Sequence, residues 1–233
     1  MKIISGITPT APKILIHGLA GSGKSTLASK LKRPIFLDFE GGLNYIDCNR
    51  TEQITDLEKF YTYLIELYRE KERQFDTIVI DSVDWLVRKI VETAAGIDKD
   101  NLDATLNKSN GGYGNGKLVL ANHIRTKLLP TLVALNKKGY GICLVAHSER
   151  KDLMDAEGFD TTRITPKIDV NTMEVFVEWV DDVFYLKNVN GERILVLEGD
   201  DNVLAKNRLN LTGEAKLADI DINELLTPKK GDK

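Results

Sequence analysis

The sequence has little of what marks secreted, metal-binding or membrane proteins. Its two cysteines, Cys48 and Cys143, are too far apart in sequence to form a metal-ligand motif, and we expect both to be reduced thiols. It has no run of about 18 apolar residues, and its first segment, MKIISGITPTAPK, lacks the apolar centre of a signal peptide. These absences predict a cytoplasmic protein with no membrane partner.

The sequence also lacks a strong excess of either charge. Its formal net charge is −3 over 233 residues, of which 29% are charged and 42% hydrophobic, as in an ordinary soluble globular protein. Any contact with nucleic acid must therefore come from local basic patches or from loops that several subunits bring together. The length suits one large domain, which we expect over residues 13–211, between an N-terminal segment (1–12) and a C-terminal tail (212–233).

Apolar β-prone runs alternate with helical patterns along the chain. The runs that predict strands cover residues 13–17, 33–42, 76–82 and 140–151. Helical spacing predicts helices between these runs. The alternation predicts an α/β fold with a mostly parallel sheet that is flanked by helices.

Local signals add detail to this pattern. Thr55 and Glu58 form a capping box that predicts the start of one helix, and Pro130 is expected to kink another helix or to begin a new one. The pair Asn190-Gly191 joins two β-runs and predicts a C-terminal β-hairpin. Two polar segments, 96–117 and 152–170, are predicted to be loops.

The segment HGLAGSGKST, residues 17–26, fits the phosphate-binding pattern G-x-x-x-x-G-K-[ST]. It lies between a β-prone run and a helix, where backbone N–H groups and a helix N-terminus converge on phosphates. Lys24 is expected to bind the β- and γ-phosphates and Ser25 to ligate Mg²⁺, so ATP and Mg²⁺ are the predicted cofactors. The predicted ATP-binding residues are Gly18, Leu19, Ala20, Gly21, Ser22, Gly23, Lys24, Ser25 and Thr26.

Two acidic positions complete the predicted site. Asp81 ends the apolar run TIVID and is the expected second metal ligand, although a cap on the next helix would also explain it. The group that activates water is expected at the end of the run IFLDFE. Glu40 is our candidate, but spacing alone does not choose between it and Asp38. An acidic residue that is simply solvated in a turn would give the same sequence pattern.

The stretch IFLDFEGGL followed by TIVIDSVDWL resembles the RecA-type recombinase core. The order of motifs over roughly residues 13–211 is most similar to small phage-encoded RecA-like ATPases that accompany single-strand annealing and recombination. The resemblance implies a RecA-like P-loop NTPase core in which Glu40 is the catalytic carboxylate and acts with Lys24. It also implies an ATPase that works on single-stranded DNA in annealing or strand exchange.

The same resemblance suggests roles for three further residues. His147 ends the run ICLVAH, where RecA-like proteins carry a polar residue that senses the γ-phosphate, although a histidine that simply caps a strand fits as well. Lys206 and Arg208 match a basic pair that, in RecA-like oligomers, reaches the γ-phosphate of the neighbouring subunit. Two solvated charges on an edge strand would give the same sequence pattern. A homo-oligomer, either a ring or a filament, is therefore expected.

The two polar segments correspond to the places where RecA-like proteins bind DNA. A mobile loop with cations and an aromatic side chain can follow phosphates and stack a base. Acidic residues in both segments roughly cancel their positive charge, so the sequence does not decide which single residues contact DNA. The DNA-binding candidates are Lys108, Tyr113 and Lys117 in the first segment and Arg150, Lys151, Arg163 and Lys167 in the second.

Two other functional classes fit parts of the sequence. A small-molecule kinase also begins with a phosphate loop, but the scattered arginines and the C-terminal hairpin fit it poorly. A nucleotide-gated loader or assembly protein, with or without a single-strand-binding or recombination partner protein, is the stronger alternative. Stimulation of ATP hydrolysis by single-stranded DNA separates both classes from the recombinase-like hypothesis.

Overall fold

The structure is a computed structural model, which describes residues 1, 3, 5, 6, 8, 10–94, 106–154 and 160–227. Most of its strands coincide with the apolar runs of the sequence, because β-branched and other apolar residues suit the interior of a sheet. The strands are β1 (Lys13–Gly18), β2 (Pro34–Asp38), β3 (Asn49–Arg50), β4 (Thr77–Asp81), β5 (Gly141–Met154), β6 (Asp160–Pro166), β7 (Asp182–Val189), β8 (Glu192–Val196) and β9 (Glu214–Lys216).

The sheet has the order β3-β2-β4-β5-β1-β7-β8-β9, and β6 pairs with β5. The first six strands of this order are parallel, and β8 and β9 continue the sheet in antiparallel fashion. Gly18 aligns with His147 across the β1–β5 pair, and Asp38 aligns with Asp81 across the β2–β4 pair. The polar residues at the ends of these parallel strands therefore meet at one edge, which we call the carboxyl edge.

Helices cover both faces of the sheet, as the sequence predicts. Leu15 and Ile80 belong to the core on one face of the sheet, which we call the first face. Ile16 and Val79 alternate with such residues and belong to the core on the other face, the second face. Helices α1 and α7 cover the second face and the others cover the first. The helices in the described part of the chain are α1 (Lys24–Ala28), α2 (Leu57–Arg69), α3 (Val83–Ala94), α4 (Asn115–His123), α5 (Leu129–Lys137), α6 (Val170–Trp179) and α7 (Ile222–Leu225). Among the described residues, none of these helices is long and apolar enough to cross a membrane.

The structure corrects one local helix prediction and confirms another. Helix α2 is capped by Asp56, whose carboxylate accepts a hydrogen bond from the backbone N–H of Lys59 at 2.8 Å, so the predicted capping box of Thr55 and Glu58 is wrong. Pro130 lies in the first turn of α5, which begins at Leu129, so the prediction that it begins a new helix is confirmed. A π-helical turn over Ile124–Leu128 joins α4 to α5.

The second polar segment is a hairpin rather than the predicted loop. Strand β5 continues past the carboxyl edge to Met154 and pairs in antiparallel fashion with β6, from Ser148 opposite Pro166 to Met154 opposite Asp160. Strand β6 contains three threonines and one isoleucine, and such β-branched residues favour an extended chain even where other residues are charged. We call this element the β5–β6 hairpin; residues 155–159 lie outside the described part of the chain.

The C-terminal part confirms the predicted hairpin and adds to it. Strands β7 and β8 are antiparallel, and Asn190 and Gly191 between them both have a positive φ, as a tight hairpin turn requires. Strand β9 then pairs with β8, and Ile222 and Leu226 are buried against the second face of the sheet. The predicted tail is thus packed on the sheet up to Leu226.

Candidate nucleotide-binding site

The predicted phosphate loop connects β1 to α1 at the carboxyl edge. It begins at Gly18, where a β-carbon would lie 2.4 Å from the carbonyl oxygen of Leu186 and 2.6 Å from the Ser22 hydroxyl. Only glycine fits at that position. The side chain of Lys24 folds back over the loop and donates to the carbonyl oxygens of Gly18 at 3.1 Å and Leu19 at 3.0 Å. The loop and its lysine thus have the arrangement that phosphate binding needs.

The surroundings of Lys24 are acidic. Lys24 is buried, and burial lowers the pKa of its ammonium group. The negative charges of Asp81, Glu40 and Asp84 oppose that shift. The structure therefore brings the predicted metal ligand and the predicted catalytic carboxylate to the predicted phosphate-binding lysine.

Asp81 ends β4 and is only 4% exposed. Burial raises the pKa of its carboxyl group to about 6, and a hydrogen bond with Ser25 acts against that shift. A buried carboxylate beside a hydroxyl is an oxygen donor set that suits Mg²⁺, which needs few protein ligands when phosphates supply the rest. Ser25 and Asp81 thus fit the predicted metal site.

The structure separates the roles of Asp38 and Glu40. Asp38 is the last residue of β2, and its carboxylate accepts backbone hydrogen bonds from Glu40 at 3.1 Å and Gly41 at 2.7 Å. It is buried and holds the turn that follows the strand. Glu40 lies in that turn with 37% of its side chain exposed, so Glu40 is the carboxylate that can reach water.

His147 lies between two carboxylates. Asp84 accepts hydrogen bonds from the backbone N–H of His147 at 3.1 Å and from its Nδ1 at 2.9 Å. On the other side of the ring, Nε2 is 3.7 Å from Oε1 of Glu40. The hydrogen bond with Asp84 raises the pKa of His147, and the charge of Glu40 acts in the same direction. A histidine held in this way links the predicted sensor position to the predicted catalytic carboxylate.

Sequence reasoning missed Asp84. It lies in the first turn of α3, three residues after Asp81, so an acidic residue just past the predicted metal ligand was the available signal. Its hydrogen-bond partner, His147, lies 63 positions away in sequence, and no local pattern could reveal that contact.

A second histidine connects the phosphate-loop strand to the β5–β6 hairpin. The Nε2 of His17 donates to the carbonyl oxygen of Leu204 at 2.7 Å, so its Nδ1 accepts from the hydroxyl of Ser148 at 2.9 Å. Burial lowers the pKa of His17 to about 4, which keeps the ring neutral and this tautomer fixed. The start of the hairpin is thereby joined to the residue that precedes the phosphate loop.

Lys206 and Arg208 are not at this edge. The backbone of Lys206 pairs with Val183 near the beginning of β7, and its ammonium group donates to the carbonyl oxygen of Val180 at 2.9 Å. Arg208 lies 3.4 Å from Asp181, which also binds Lys13 at the first residue of β1. The pair therefore lies towards the opposite edge of the sheet, the amino edge, and away from the phosphate loop of its own chain.

The predicted DNA-binding residues fall into two groups. Three of the side chains are paired or partly buried. Lys117 is 3.5 Å from Asp169, and Lys151 binds Glu149 and the carbonyl oxygen of Ile168. Arg163 is partly buried. The other candidates are exposed to solvent: Lys108, Tyr113, Arg150 and Lys167. Tyr113 in particular projects from a glycine-rich turn and is fully exposed.

Comparison with known proteins supports the predicted family. Residues 10–209 match the family model AAA_24, described as an AAA domain. The SPbeta prophage-derived uncharacterized protein YorG of Bacillus subtilis (strain 168) is 24% identical over 178 residues, and the match covers 75% of this chain. This chain spans about half of the length of that relative, since the match covers 50% of it.

The fold is also similar to a solved structure. A crystal structure of the RadB recombinase matches with a TM-score of 0.50 and 15% identity, over 89% of this chain and 87% of that chain. Together these similarities confirm the RecA-like P-loop fold and the resemblance to phage-encoded members that the sequence predicted.

Proposed function

Since the chain belongs to the AAA_24 family of AAA domains and has a RecA-like fold, we propose that it hydrolyses ATP and uses that energy on single-stranded DNA. The reaction would serve phage-type recombination, by annealing or by strand exchange. The continuity of β5 is the observation that carries this proposal. One strand bears His147 at the candidate nucleotide site and then becomes the first arm of the β5–β6 hairpin, on which Arg150 is exposed.

The carboxyl edge supplies the groups that ATP hydrolysis needs. The phosphate loop and Lys24 would hold the triphosphate, and Ser25 and Asp81 would hold Mg²⁺, which neutralises phosphate oxygens when it is bound. Glu40 would accept a proton from water, because it is the exposed carboxylate of the cluster. His147 would hold Glu40 in place until the γ-phosphate competes for the imidazole ring.

The β5–β6 hairpin would carry the response to nucleotide. A change at His147 moves the same backbone that leads into Ser148, and Ser148 is fixed to the phosphate-loop strand through His17. Arg150 and Lys167 lie exposed on this hairpin and beyond its end, where they can follow a phosphate backbone. Tyr113, fully exposed, would stack a base.

The amino edge would face the next subunit. Arg208 is the better candidate to reach a neighbouring γ-phosphate, since 65% of its side chain is exposed while Lys206 is held by a carbonyl oxygen. If so, subunits that carry Lys206→Ala and Arg208→Ala should regain activity when they are mixed with Lys24→Ala subunits. Absence of any rescue would show that the pair does not act between subunits.

The direct test of the proposal is the ATPase rate with Mg²⁺, with and without a single-stranded oligonucleotide, at two salt concentrations and several protein concentrations. We expect DNA to stimulate hydrolysis, cooperatively with protein and less at high salt. Tyr113→Ala should reduce this stimulation, whereas Lys187→Ala on the C-terminal hairpin should not. A flat response to DNA would contradict the proposal and favour a nucleotide-gated loader.

A further inference from the structure

Arg193 is a cation at the phosphate loop that comes from the C-terminal hairpin. It is the second residue of β8 and lies opposite Asn188 of β7. Strand β7 runs parallel to β1 and pairs with it up to Leu186 opposite Gly18. The end of β7 and the turn after it therefore lie at the carboxyl edge, beside the phosphate loop.

The guanidinium group of Arg193 packs directly on Gly23. A β-carbon at position 23 would lie 2.7 Å from the Nε of Arg193 and 2.8 Å from its Cζ, so any other residue there would displace the arginine side chain. Gly23 also has a φ of 99°, a conformation that favours glycine. The glycine that the phosphate-binding pattern requires thus also makes room for this arginine.

A positively charged cleft opens between this hairpin and α1. Its volume is about 480 Å³, and Thr26 and Lys30 form the wall on the α1 side. Three cations and one carboxylate line it, namely Lys30, Arg193, Lys216 and Glu192, which gives a net charge of +2. Glu192 is bound to Lys216 at 2.9 Å rather than to Arg193. The cleft therefore suits an anion.

The position of the cleft beside the phosphate loop indicates which anion it would bind. Its backbone N–H groups hold the α- and β-phosphates while the lysine reaches the β- and γ-phosphates, so the remainder of a nucleotide leaves the loop past its last residue. That residue is Thr26, where the cleft begins. A guanidinium group offers two parallel donors that match phosphate oxygens.

We propose that Arg193 binds the α- and β-phosphates of a nucleotide in the phosphate loop of its own chain, so that the C-terminal hairpin closes the site in cis. This assignment rests on the proposed function, because it requires that the loop binds a nucleotide. It differs from the Lys206 and Arg208 pair, which lies towards the other edge of the sheet.

The test is the affinity of ATP and of ADP, measured by equilibrium titration at low protein concentration. Arg193→Ala should weaken both nucleotides by roughly 10- to 100-fold, as expected for the loss of a hydrogen bond to a charged group. Arg193→Lys should restore only part of the affinity, because a lysine cannot make the paired contact. Lys187→Ala is the matched control, since Lys187 binds Glu214 and lies on the other face of the same hairpin.

Three results would separate the possible failures. If Arg193→Ala binds ATP and ADP within twofold of the wild type while Lys24→Ala loses both, the assignment of Arg193 is wrong and the nucleotide site stands. A loss for ATP alone would place Arg193 at the γ-phosphate and contradict the assignment. If Lys24→Ala also leaves both affinities unchanged, the proposed function itself fails.

Discussion

The two edges of the parallel sheet hold charge in different ways. At the amino edge, Asp181 binds both Lys13 at 3.2 Å and Arg208 at 3.4 Å, and Lys206 donates to a backbone carbonyl. At the carboxyl edge, the buried Asp81 has a hydroxyl for its neighbour, and its pKa is raised to about 6 by burial. Charge is paired locally at the amino edge, whereas at the carboxyl edge Lys24 offsets the burial of Asp81 only in part.

The difference indicates which edge is the candidate for a chemical task. Burial raises the pKa of Asp81 even though the charge of Lys24 acts against that shift, so the ionised carboxylate costs folding free energy, as is typical of groups at functional sites. A closed cluster of ion pairs on a partly exposed edge contributes little to stability and performs no chemistry by itself. The four predictions below test this contrast.

The largest effect is expected for Glu40→Gln. Removal of the exposed carboxylate should lower the rate of ATP hydrolysis by roughly 100-fold or more, because general-base catalysis contributes about that much. Affinity for ATP should stay close to that of the wild type, since Glu40 is not part of the phosphate loop. Turnover and equilibrium binding measured on the same preparation check this, and unchanged turnover would exclude Glu40 as the base.

Asp84→Asn should have the next largest effect, about a tenfold loss of kcat. Because the hydrogen bond with Asp84 raises the pKa of His147, the ring of the wild type stays protonated until the pH rises through that raised value. The variant should lose its protonated ring, and with it activity, at a lower pH. The measurement is kcat against pH, with Asp84→Glu as the conservative control; a lower kcat with an unmoved alkaline limb would show only a structural role.

Asp81→Asn should stabilise the protein in the absence of Mg²⁺ and nucleotide. The pKa of about 6 in the folded state lies above the ordinary value of 3.8, so ionisation costs the folded state up to about 3 kcal/mol above pH 6. The gain in the free energy of unfolding should be largest near pH 8 and shrink as the pH falls from 6 to 4. Urea unfolding in a chelator checks this, and a less stable variant at pH 8 would contradict the contrast.

Asp181→Asn should have the smallest effect and the opposite sign. It removes two partly exposed ion pairs, each worth about 0.2–1 kcal/mol, so the free energy of unfolding should fall slightly. The same urea experiment at low and high salt measures this change, and the loss should shrink with salt. A more stable variant would mean that the amino edge is not locally compensated.

Much of the fold could be predicted because its signals are local. The apolar runs before Gly18 and Asp81 are buried strands, and Asn190-Gly191 forms the expected hairpin turn. The β5–β6 hairpin escaped prediction because its residues are polar. Its extended form depends on pairing between distant positions, such as Ser148 opposite Pro166, rather than on an apolar pattern.

The candidate site divides in the same way. The phosphate loop and Asp81 are short motifs, and the structure brings them together. The contact of Asp84 with His147 and that of Arg193 with Gly23 join residues 63 and 170 positions apart, and only the tertiary fold creates them. Spacing also could not choose between Asp38 and Glu40, whereas the turn hydrogen bonds made by Asp38 favour Glu40 as the carboxylate that is left to act on water.

The most direct test of the account is the binding of ATP with Mg²⁺ to the wild type and to Lys24→Ala, measured by titration calorimetry. Lys24 is the cation that the carboxylates of the carboxyl edge surround. The account predicts saturable binding by the wild type and a loss of about 100-fold or more in the variant, since a buried charged contact to phosphate disappears. Equal affinities for the two proteins would contradict it.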